Sequence, residues 1–263
     1  MSDAVLKVQG IHKRYGELEA VRGIDFEVGR GEVFALIGPN GAGKTTTLRM
    51  VATILRPTSG EITVAGHSAV RDPGRVRELI SYLPEEAGAY KNLKAMDYLR
   101  FVAELFFDDR ERIERAVATG REVSGLGDRL DDKLGSYSKG MTRKLLLART
   151  VMTEPTLAIL DEPTSGLDVI NALELRERVK QLAEGGMSVL LSSHNMLEIE
   201  FLSDRVAIIA AGQIHATGTP EELKAEYDAS NLEQVFARIA EEQHLDVTEP
   251  PPGRARAGTG ARR

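Results

Sequence analysis

The apolar residues of this chain fall into short runs rich in Val and Ile, which alternate with longer stretches of helical periodicity. A short, unbroken apolar run is typical of a strand that is buried on both faces of a parallel sheet. We predict four such strands, at residues 33–37, 156–160, 188–191 and 206–209. Apolar residues at three- and four-residue spacing predict covering helices at residues 43–55, 169–182 and 196–202. The pattern therefore indicates parallel strands joined by crossover helices.

Two further patterns lie outside this alternation. Residues 5–8 and 20–28 predict antiparallel edge strands, the second with alternating positions in "IDFEV". From about residue 96 to residue 149 the spacing is helical throughout, as in "MDYLRFVAELF". We therefore predict an α/β fold with a mostly parallel sheet, an antiparallel β edge subdomain and an inserted α-helical subdomain at about residues 86–152. This domain is expected to span residues 1–228.

The C-terminal part carries an amphipathic segment followed by a tail of different composition. "NLEQVFARIAEEQ" places Leu232, Val235, Phe236 and Ile239 on one face of a predicted helix within residues 229–245. That face is expected to pack on the α/β core, and a regulatory or dimer contact is the alternative. Residues 246–263 are rich in Pro, Gly and Arg, which is typical of a disordered tail. Its arginines could instead meet phospholipid or RNA.

Composition limits the function classes. The 263-residue chain has a formal net charge of −6, so it offers no overall basic surface for nucleic acid or anionic lipid. It contains no cysteine, which excludes disulfides and thiolate metal sites and suits a reducing compartment. Neither a signal-peptide pattern nor a membrane-length apolar run is present. We expect a soluble chain whose membrane role, if any, depends on a partner.

A glycine-rich segment, "ALIGPNGAGKTTTL", follows the first predicted core strand and opens a helix. It matches G-x-x-x-x-G-K-[ST], in which backbone N–H groups and a helix N-terminus face phosphate oxygens. Lys44 is predicted to reach the β- and γ-phosphates of a nucleoside triphosphate, and the Thr45 hydroxyl to bind Mg²⁺. The alternative is a plain glycine-rich turn. We predict that the nucleotide contacts of this loop come from Gly38, Pro39, Asn40, Gly41, Ala42, Gly43, Lys44, Thr45 and Thr46.

Two acidic residues end another apolar run, in "TLAILDEPTSGLD". Asp161 is predicted to hold Mg²⁺ through coordinated water, and Glu162 to act as general base toward a water aligned on the γ-phosphate. Two solvated surface acids are the alternative. His194 follows a third run, in "VLLSSHNMLEI", at the sheet edge where α/β proteins bind ligands. It is predicted to contact the γ-phosphate and orient Glu162, and a purely structural histidine is the alternative.

The ordered set of motifs resembles the ATP-binding subunit of an ATP-binding-cassette (ABC) transporter. "YLPEE", "YSKGM", "LAILDE", "SGLD" and "SSH" follow the phosphate loop in the family's order, and the resemblance covers about residues 5–223. It implies a P-loop NTPase core that hydrolyses ATP with Mg²⁺ and powers a separate membrane permease. It also implies a head-to-tail homodimer or heterodimer on the inner face of the cell membrane, in the cytoplasm, without direct nucleic-acid contact.

The resemblance also suggests roles for three residues outside the phosphate loop. Tyr15 matches the aromatic residue that stacks on adenine, although it could be a strand-edge tyrosine. Ser138 and Gly140 align with the family's "LSGGQ" signature, which contacts the nucleotide of the other subunit. Ser138 could also be an ordinary helix cap. Two departures are Lys139, which is acceptable only if its φ is not positive, and Met141, which removes the glutamine hydrogen bond.

A third departure concerns the position where the family commonly has a glutamine that touches magnesium. Here the aligned residue is Glu85, which is either a further metal ligand or an exposed loop acid. A glutamate there resembles families that export drugs, lipids, polysaccharides or ions, so export is the favoured direction. The competing functions are a soluble cassette ATPase that acts on nucleic acid or ribosomes, and a module that holds ATP without turnover.

Overall fold

The structure, a computed structural model, describes residues 4–243, which form two sheets with helices packed against them. In chain order the strands are β1 (Ala4–Tyr15), β2 (Leu18–Gly29), β3 (Val33–Ile37), β4 (Ser59–Val64), β5 (His67–Ser68), β6 (Ile80–Leu83), β7 (Leu157–Asp161), β8 (Ser188–Ser193), β9 (Arg205–Ala210) and β10 (Gln213–Gly218). The α-helices are α1 (Lys44–Val51), α2 (Pro73–Leu79), α3 (Ala95–Phe106), α4 (Arg110–Ser124), α5 (Lys139–Val151), α6 (Val169–Glu184), α7 (Met196–Ile199), α8 (Pro220–Glu226) and α9 (Leu232–Glu242).

The six-stranded sheet has the order β10-β9-β3-β8-β7-β6. Its strands are parallel except for β10, which is antiparallel to β9. The four-stranded sheet has the order β2-β1-β4-β5 and is antiparallel throughout. The predicted α/β class, with a mostly parallel sheet and an antiparallel β subdomain, is therefore confirmed.

The unbroken apolar runs arise because the large sheet separates two hydrophobic cores. In β3, Val33, Ala35 and Ile37 face one core, while Phe34 and Leu36 face the other. Strands β7 and β9 alternate between the same two cores. Since side chains alternate along a strand, a strand covered on both faces needs an apolar residue at every position.

The helical segment of the chain is interrupted, so the predicted helical pattern from about residue 96 to residue 149 is only partly right. It forms three α-helices: residues 107–109 separate α3 from α4, and the 3-10 segments Gly127–Asp131 and Leu134–Ser136 lie between α4 and α5. Helix α4 ends at Gly125, whose φ of 61° is left-handed, a conformation that favours glycine. The apolar faces of all three helices join one core with the sheet.

Three other predicted boundaries need correction. The strand predicted at residues 5–8 is much longer, since β1 spans Ala4–Tyr15. The helix predicted at residues 43–55 ends at Val51, because Thr53 adopts a left-handed φ of 58°, which a right-handed α-helix cannot accommodate. The helix predicted at residues 196–202 ends at Ile199, where the amide of Leu202 donates to the carbonyl of Ile199 and tightens the last turn. The strand predicted at residues 156–160 occupies Leu157–Asp161.

Several helices begin at a polar residue whose side chain accepts a hydrogen bond from a first-turn N–H group. Asp109, Ser138, Asp168 and Asn231 cap their helices in this way, and Thr219 forms a full capping box with Glu222. Each such cap contributes about 1 kcal/mol to helix stability. The helix starts, including the one at Ser138, are therefore encoded locally.

The predicted C-terminal helix is present as α9. Leu232, Val235 and Ile239 are buried in the core that the sheet shares with α3–α5, and Phe236 packs against it, so the expected packing is confirmed. The predicted tail at residues 246–263, and the last two residues of the predicted helical region, lie outside the described residues. Between Ala4 and Gln243, no helix is both long and apolar enough to cross a lipid bilayer.

Candidate functional site

The parallel register brings the phosphate loop and the polar strand ends to one edge of the large sheet. Ile37, at the end of β3, pairs with Ser193 of β8, and Asp161 of β7 pairs with Ser192. The phosphate loop, the two acidic residues and His194 therefore leave the sheet side by side. This is the carboxyl edge where open α/β sheets bind ligands.

Glycine is required at two positions of the phosphate loop because the backbone of neighbouring strands approaches closely. A Cβ atom at Gly38 would collide with the carbonyl oxygen of Ile209. A Cβ atom at Gly43 would lie 2.7 Å from the carbonyl oxygen of Ala20, and Gly43 has a φ of 105°. The motif spacing thus reflects the tight fit of the loop between β9 and β2.

Lys44 is buried at the centre of the loop. Its ammonium donates to the carbonyl oxygens of Gly38 (2.7 Å) and Pro39 (3.1 Å), and it lies 3.6 Å from Oε1 of Glu162. Burial lowers the pKa of Lys44, while the Glu162 carboxylate opposes that change. The ammonium is held where an anion bound by the loop would meet it.

Asp161 is only 1% exposed and accepts three side-chain hydrogen bonds. Its Oδ1 atom accepts from Ser192 Oγ (2.7 Å) and Thr45 Oγ1 (3.1 Å), and its Oδ2 atom accepts from the Tyr82 hydroxyl (3.1 Å). Burial, followed by the charge of Asp161, raises the pKa of Tyr82 to about 12, so Tyr82 stays a donor. These contacts fix the carboxylate beside Thr45.

Glu162 has an unusual backbone conformation for a residue with a side chain. Its φ is 46°, in the left-handed region, and its N–H donates to Ser192 Oγ (3.0 Å). Such strain costs on the order of 1–3 kcal/mol and persists only where the surroundings over-determine it. The buried carboxylate points to His194, whose Nδ1 atom lies 2.8 Å from Oε2. The structure thus brings together the two residues that the sequence placed at neighbouring strand ends.

The donor set at this edge fits a magnesium ion that arrives with a nucleotide. Mg²⁺ prefers oxygen ligands, and in nucleotide sites it takes one or two carboxylates while phosphate and water complete its octahedron. The Thr45 hydroxyl and the Asp161 carboxylate supply such oxygens 3.1 Å apart. Over residues 4–243 there is no cluster of three or more His, Cys, Asp or Glu side chains that could hold a metal unaided.

A small cavity of about 150 Å³ lies over the phosphate loop. Residues 40–46, Glu85 and Glu162 line it, so the structure places Glu85 beside the predicted metal residues. The Glu85 carboxylate also accepts a hydrogen bond from Ser165 Oγ (3.4 Å), in the "SGLD" loop. A larger groove, between α4, α5 and α6, contains none of the phosphate-loop residues.

Tyr15 stands at the end of the β1–β2 hairpin, half exposed. It pairs with Leu18, two residues before Ala20, which contacts the phosphate loop at Gly43. The ammonium of Lys13 lies 5.2 Å from the centre of the Tyr15 ring. The location suits a ring near the nucleotide base, and the stacking role stays a prediction.

The signature segment forms the start of α5 and packs on the "SGLD" loop of its own chain. Ser138 Oγ accepts from the N–H of Met141 (3.2 Å), and Lys139 has no positive φ, so its replacement of glycine is tolerated. A Cβ atom at Gly140 would collide with the Asn171 side chain, which explains the small residue there. Neither Ser138 nor Gly140 lines the cavity over the phosphate loop of the same chain.

Three residues of this site were missed in the sequence. Tyr82 and Ser192 contact Asp161, and Arg143 of α5 donates hydrogen bonds to the main chain around Glu162. Tyr82 and Ser192 are polar positions within apolar strands, next to the predicted carboxyl edge, and that placement was the available signal. Arg143 looked like one basic residue of an amphipathic helix.

Comparison with known proteins identifies the family. The sequence profile of the ABC transporter family matches residues 21–165, more than half of the chain. The daunorubicin resistance ATP-binding protein DrrA3 of Streptomyces coeruleorubidus is 38% identical over 236 residues, which are 90% of this chain and 75% of that protein. The fluoroquinolones export ATP-binding protein MT2762 of Mycobacterium tuberculosis (strain CDC 1551 / Oshkosh) is 38% identical over 222 residues, with coverage of 84% and 72%.

A solved structure described as the ATP-binding subunit of an ABC transporter agrees with this assignment. It superposes with a TM-score of 0.80 at 29% identity and covers 90% of this chain and 99% of the other. The P-loop NTPase fold expected from the motifs is thereby confirmed. Sequence, fold and site geometry agree that the chain belongs to the ABC transporter family, in which it is an ATP-binding subunit with ATPase activity.

Proposed function

We propose that two ATP-binding subunits close around ATP and Mg²⁺, hydrolyse the ATP, and thereby drive a separate membrane permease that exports its substrate. The observation that carries this proposal is the buried carboxylate of Glu162, held between His194 and Lys44 at the mouth of the phosphate loop. A general base must lie within hydrogen-bond reach of the attacking water, and this carboxylate lines the cavity in question.

Each residue at the loop has one part in the proposed reaction. The loop amides from Gly38 to Thr46 and the Lys44 ammonium bind the phosphates, and Glu162 accepts the proton of the attacking water. His194 orients the Glu162 carboxylate and contacts the γ-phosphate. Magnesium would be held by Thr45 and Asp161, with Glu85 as a second carboxylate nearby, and it supplies positive charge to the phosphate oxygens.

Lys44 has to exchange partners when a nucleotide binds. Its ammonium now rests on the carbonyl oxygens of Gly38 and Pro39, inside the loop that would surround the phosphates. Phosphate oxygens are stronger acceptors for an ammonium than carbonyl oxygens are. Moving Lys44 toward them would also weaken its 3.6 Å contact with Glu162, which frees that carboxylate to accept a proton.

Two features support a dimer, either of two copies or with a paralogue. Ser138 and the N-terminus of α5 offer hydrogen-bond donors suited to phosphate, yet they do not line the cavity of their own chain. Next to the "SGLD" loop, the first turns of α6 expose the apolar side chains of Val169, Ile170 and Leu173. We call these three residues the α6 apolar patch. An exposed patch of this kind marks an interaction site, and a second ATPase subunit would cover it.

A second exposed apolar surface supports the permease. Tyr90, Phe101, Leu105 and Phe106 are exposed, and the rings of Tyr90 and Phe101 meet edge to face at 6.2 Å. We call these four residues the α3 aromatic patch. It lies on the helical segment, close in sequence to the loop of Glu85, so a permease bound there could sense that loop. The subunit would then act at the inner face of the cell membrane, in the cytoplasm.

Export is the direction supported by the relatives. The names of the two relatives above state daunorubicin resistance and fluoroquinolone export. Resistance to a drug is readily produced by pumping it out of the cell.

Tyr15, at the hairpin end beside the loop, would stack on adenine in the same nucleotide site.

The Glu162→Gln variant tests the proposed reaction. Glutamine keeps the size of the side chain but cannot accept the proton, so the variant should bind ATP and scarcely hydrolyse it in a single turnover. Its expected loss is about 10²–10⁴-fold, the usual contribution of a positioned acid–base group. Glu86→Gln, at an exposed neighbour of Glu85, is the matched control and should hydrolyse normally. Wild-type hydrolysis by Glu162→Gln would remove Glu162 as the base.

A further inference from the structure

The guanidinium of Arg143 is buried where two loops leave the carboxyl edge of the sheet. Arg143 lies near the start of α5, one turn after Ser138, and is 6% exposed. All five of its N–H groups donate to main-chain carbonyl oxygens: Nε to Pro163 (2.7 Å), Nη1 to Pro84 (2.9 Å) and Glu85 (3.1 Å), and Nη2 to Asp161 and Glu162 (2.9 Å each).

These carbonyl groups need donors because the chain has just left the sheet. Strands β6 and β7 are parallel neighbours, with Leu83 opposite Leu160. Beyond these residues β6 and β7 no longer pair with each other, although Asp161 still pairs with Ser192 of β8, so buried carbonyls on this side need other donors. A planar guanidinium has five donors in a fixed fork and can serve both loops at once. A lysine has three donors on a single nitrogen and cannot span the same set.

Three of the five bonds surround the strained residue of the site. Arg143 donates to the carbonyls of Asp161, Glu162 and Pro163, the residues before, at and after the left-handed φ of 46°. A strained conformation persists where neighbouring groups over-determine it. The N–H of Glu162 donates to Ser192 Oγ, and the carbonyl of Glu162 also accepts from the N–H of Ser165 (3.1 Å). The orientation of the Glu162 side chain therefore depends on α5 as well as on β8.

Packing alone does not account for an arginine at this position. Burial lowers the pKa of Arg143, and the charges of Asp161, Glu85 and Glu162 oppose that change. A guanidinium nevertheless stays charged in proteins. Taking this charge out of water is costly, and an apolar side chain would join α5 to the sheet more cheaply. An apolar side chain, however, has no N–H groups to donate to the carbonyl oxygens of the two loops, so it could not hold them in place.

We propose that Arg143 is a positioning residue, which holds the Glu162 backbone and the Glu85 loop in one arrangement relative to the start of α5. The inference rests on the role proposed for Glu162. Because hydrogen bonds weaken steeply with misalignment, α5 cannot shift against the Glu162 loop without losing several of these bonds. The signature turn at Ser138 and the general base of one chain consequently move as one unit.

The test compares ATP binding with single-turnover hydrolysis in three variants. Arg143→Gln removes most of the donors, Arg143→Lys keeps the charge but not the fork, and Arg149→Gln is the control on the same helix. Arg149 is half-buried, and its Nε has no hydrogen-bond partner among the described residues. Binding is measured with magnesium-free ATP by calorimetry, and hydrolysis with excess enzyme over radiolabelled ATP.

We expect Arg143→Gln to bind ATP with near wild-type affinity while its single-turnover rate falls by about tenfold to a hundredfold, as a misplaced catalytic group would cause. Arg143→Lys should fall between Arg143→Gln and wild type, and Arg149→Gln should keep the wild-type ratio of rate to affinity. A role in folding alone would instead lower the folded fraction, and with it binding and hydrolysis, in equal proportion.

The proposal is overturned if Arg143→Gln hydrolyses ATP at the wild-type rate, or if its binding and hydrolysis fall together. If Arg143→Gln does not fold, Arg143→Lys decides, and a wild-type ratio of rate to affinity in that variant overturns the proposal. Failure of the proposed function looks different. In that case Glu162→Gln would hydrolyse ATP at the wild-type rate. A loss of hydrolysis in Arg143→Gln would then mean that Arg143 positions a catalytic residue other than Glu162.

Discussion

The Nδ1 atom of His194 lies 2.8 Å from the Oε2 atom of Glu162. Glu162 follows the end of β7 and His194 follows the end of β8, 32 positions later in the chain. Only the parallel pairing of β7 with β8 brings them together. Glu162 is buried while the His194 side chain is about half exposed. The histidine therefore contacts the carboxylate while part of its ring stays accessible, as the phosphate contact proposed for it requires.

Replacing His194 with Ala should slow hydrolysis and leave ATP binding largely intact. The carboxylate of Glu162 would lose its orienting partner, and we expect the single-turnover rate to drop by about tenfold to a hundredfold. Rapid-quench hydrolysis and equilibrium ATP binding measure the two quantities separately. His67→Ala is the control, since His67 lies on β5 in the other sheet. A His194→Ala rate equal to that of the control would exclude the orienting role.

Replacing Ser192 with Ala should destabilise the protein. Ser192 Oγ donates to Asp161 and accepts from the N–H of Glu162, so both partners would be left buried without it. Leaving a buried polar group unsatisfied costs about 1–3 kcal/mol. Urea unfolding monitored by circular dichroism measures the loss. Ser203→Ala is the control, because Ser203 Oγ makes a single bond within its own helical turn, and its loss should be clearly smaller.

Replacing Gly140 with Ala should destabilise the start of α5 by a steric effect that a second substitution relieves. The new methyl group would collide with the Asn171 side chain, which is held by Asp168. Overpacking of this kind costs about 1–3 kcal/mol. Combining Gly140→Ala with Asn171→Ala should recover much of that loss, and a double-mutant cycle of unfolding free energies measures the coupling. Strictly additive free energies would show that the two side chains do not meet.

The two apolar patches predict opposite outcomes for two matched substitutions. Ile170→Lys, in the α6 apolar patch, should weaken ATP-driven dimerisation in the Glu162→Gln background, because a charge would have to be buried at the subunit contact. Ile170 is 69% exposed, so the monomer itself should keep its stability. Size-exclusion chromatography with light scattering, with and without ATP, measures the dimer.

Leu105→Lys, in the α3 aromatic patch, is the reciprocal control. Leu105 is 67% exposed, so the two substitutions begin from similar surroundings. This variant should dimerise normally but lose co-purification with the permease proposed as its partner. If Leu105→Lys abolished the dimer and Ile170→Lys did not, the assignment of the two patches to their partners would have to be exchanged.

Local patterns in the chain were sufficient for much of the site. Glycine spacing with a following Lys-Thr pair marked the phosphate loop, and an apolar run before Asp161 marked a strand end. Both features follow from short-range physics, because strand burial needs consecutive apolar residues and tight turns need glycine. The C-terminal helix could also be predicted from the sequence, since its apolar residues repeat at helical spacing.

Other contacts had no local signal. Ser192 lies 31 residues from Asp161 and Tyr82 lies 79 residues from it, and each is next to another polar residue of its strand, Ser193 or Ser81, so nothing in the local sequence singles it out. Arg143 resembles any basic residue on an amphipathic helix, and its five carbonyl partners come from segments 18 to 59 residues away. The interruption of the helical segment is a different case, because it does have local signals: Gly125 ends α4 in a left-handed conformation and Ser138 caps the start of α5.

The sequence by itself determined the two kinds of element, the phosphate loop, the identity of the acidic pair and the helix start at Ser138, because each depends on residues only a few positions apart. The tertiary structure decided which of these features meet. The sheet order β3-β8-β7-β6 set Ser192 and Tyr82 on either side of Asp161, and the packing of α5 placed Arg143 between two loops. Hydrogen bonds form only between groups within about 3 Å of each other, and for distant residues that proximity is a property of the fold.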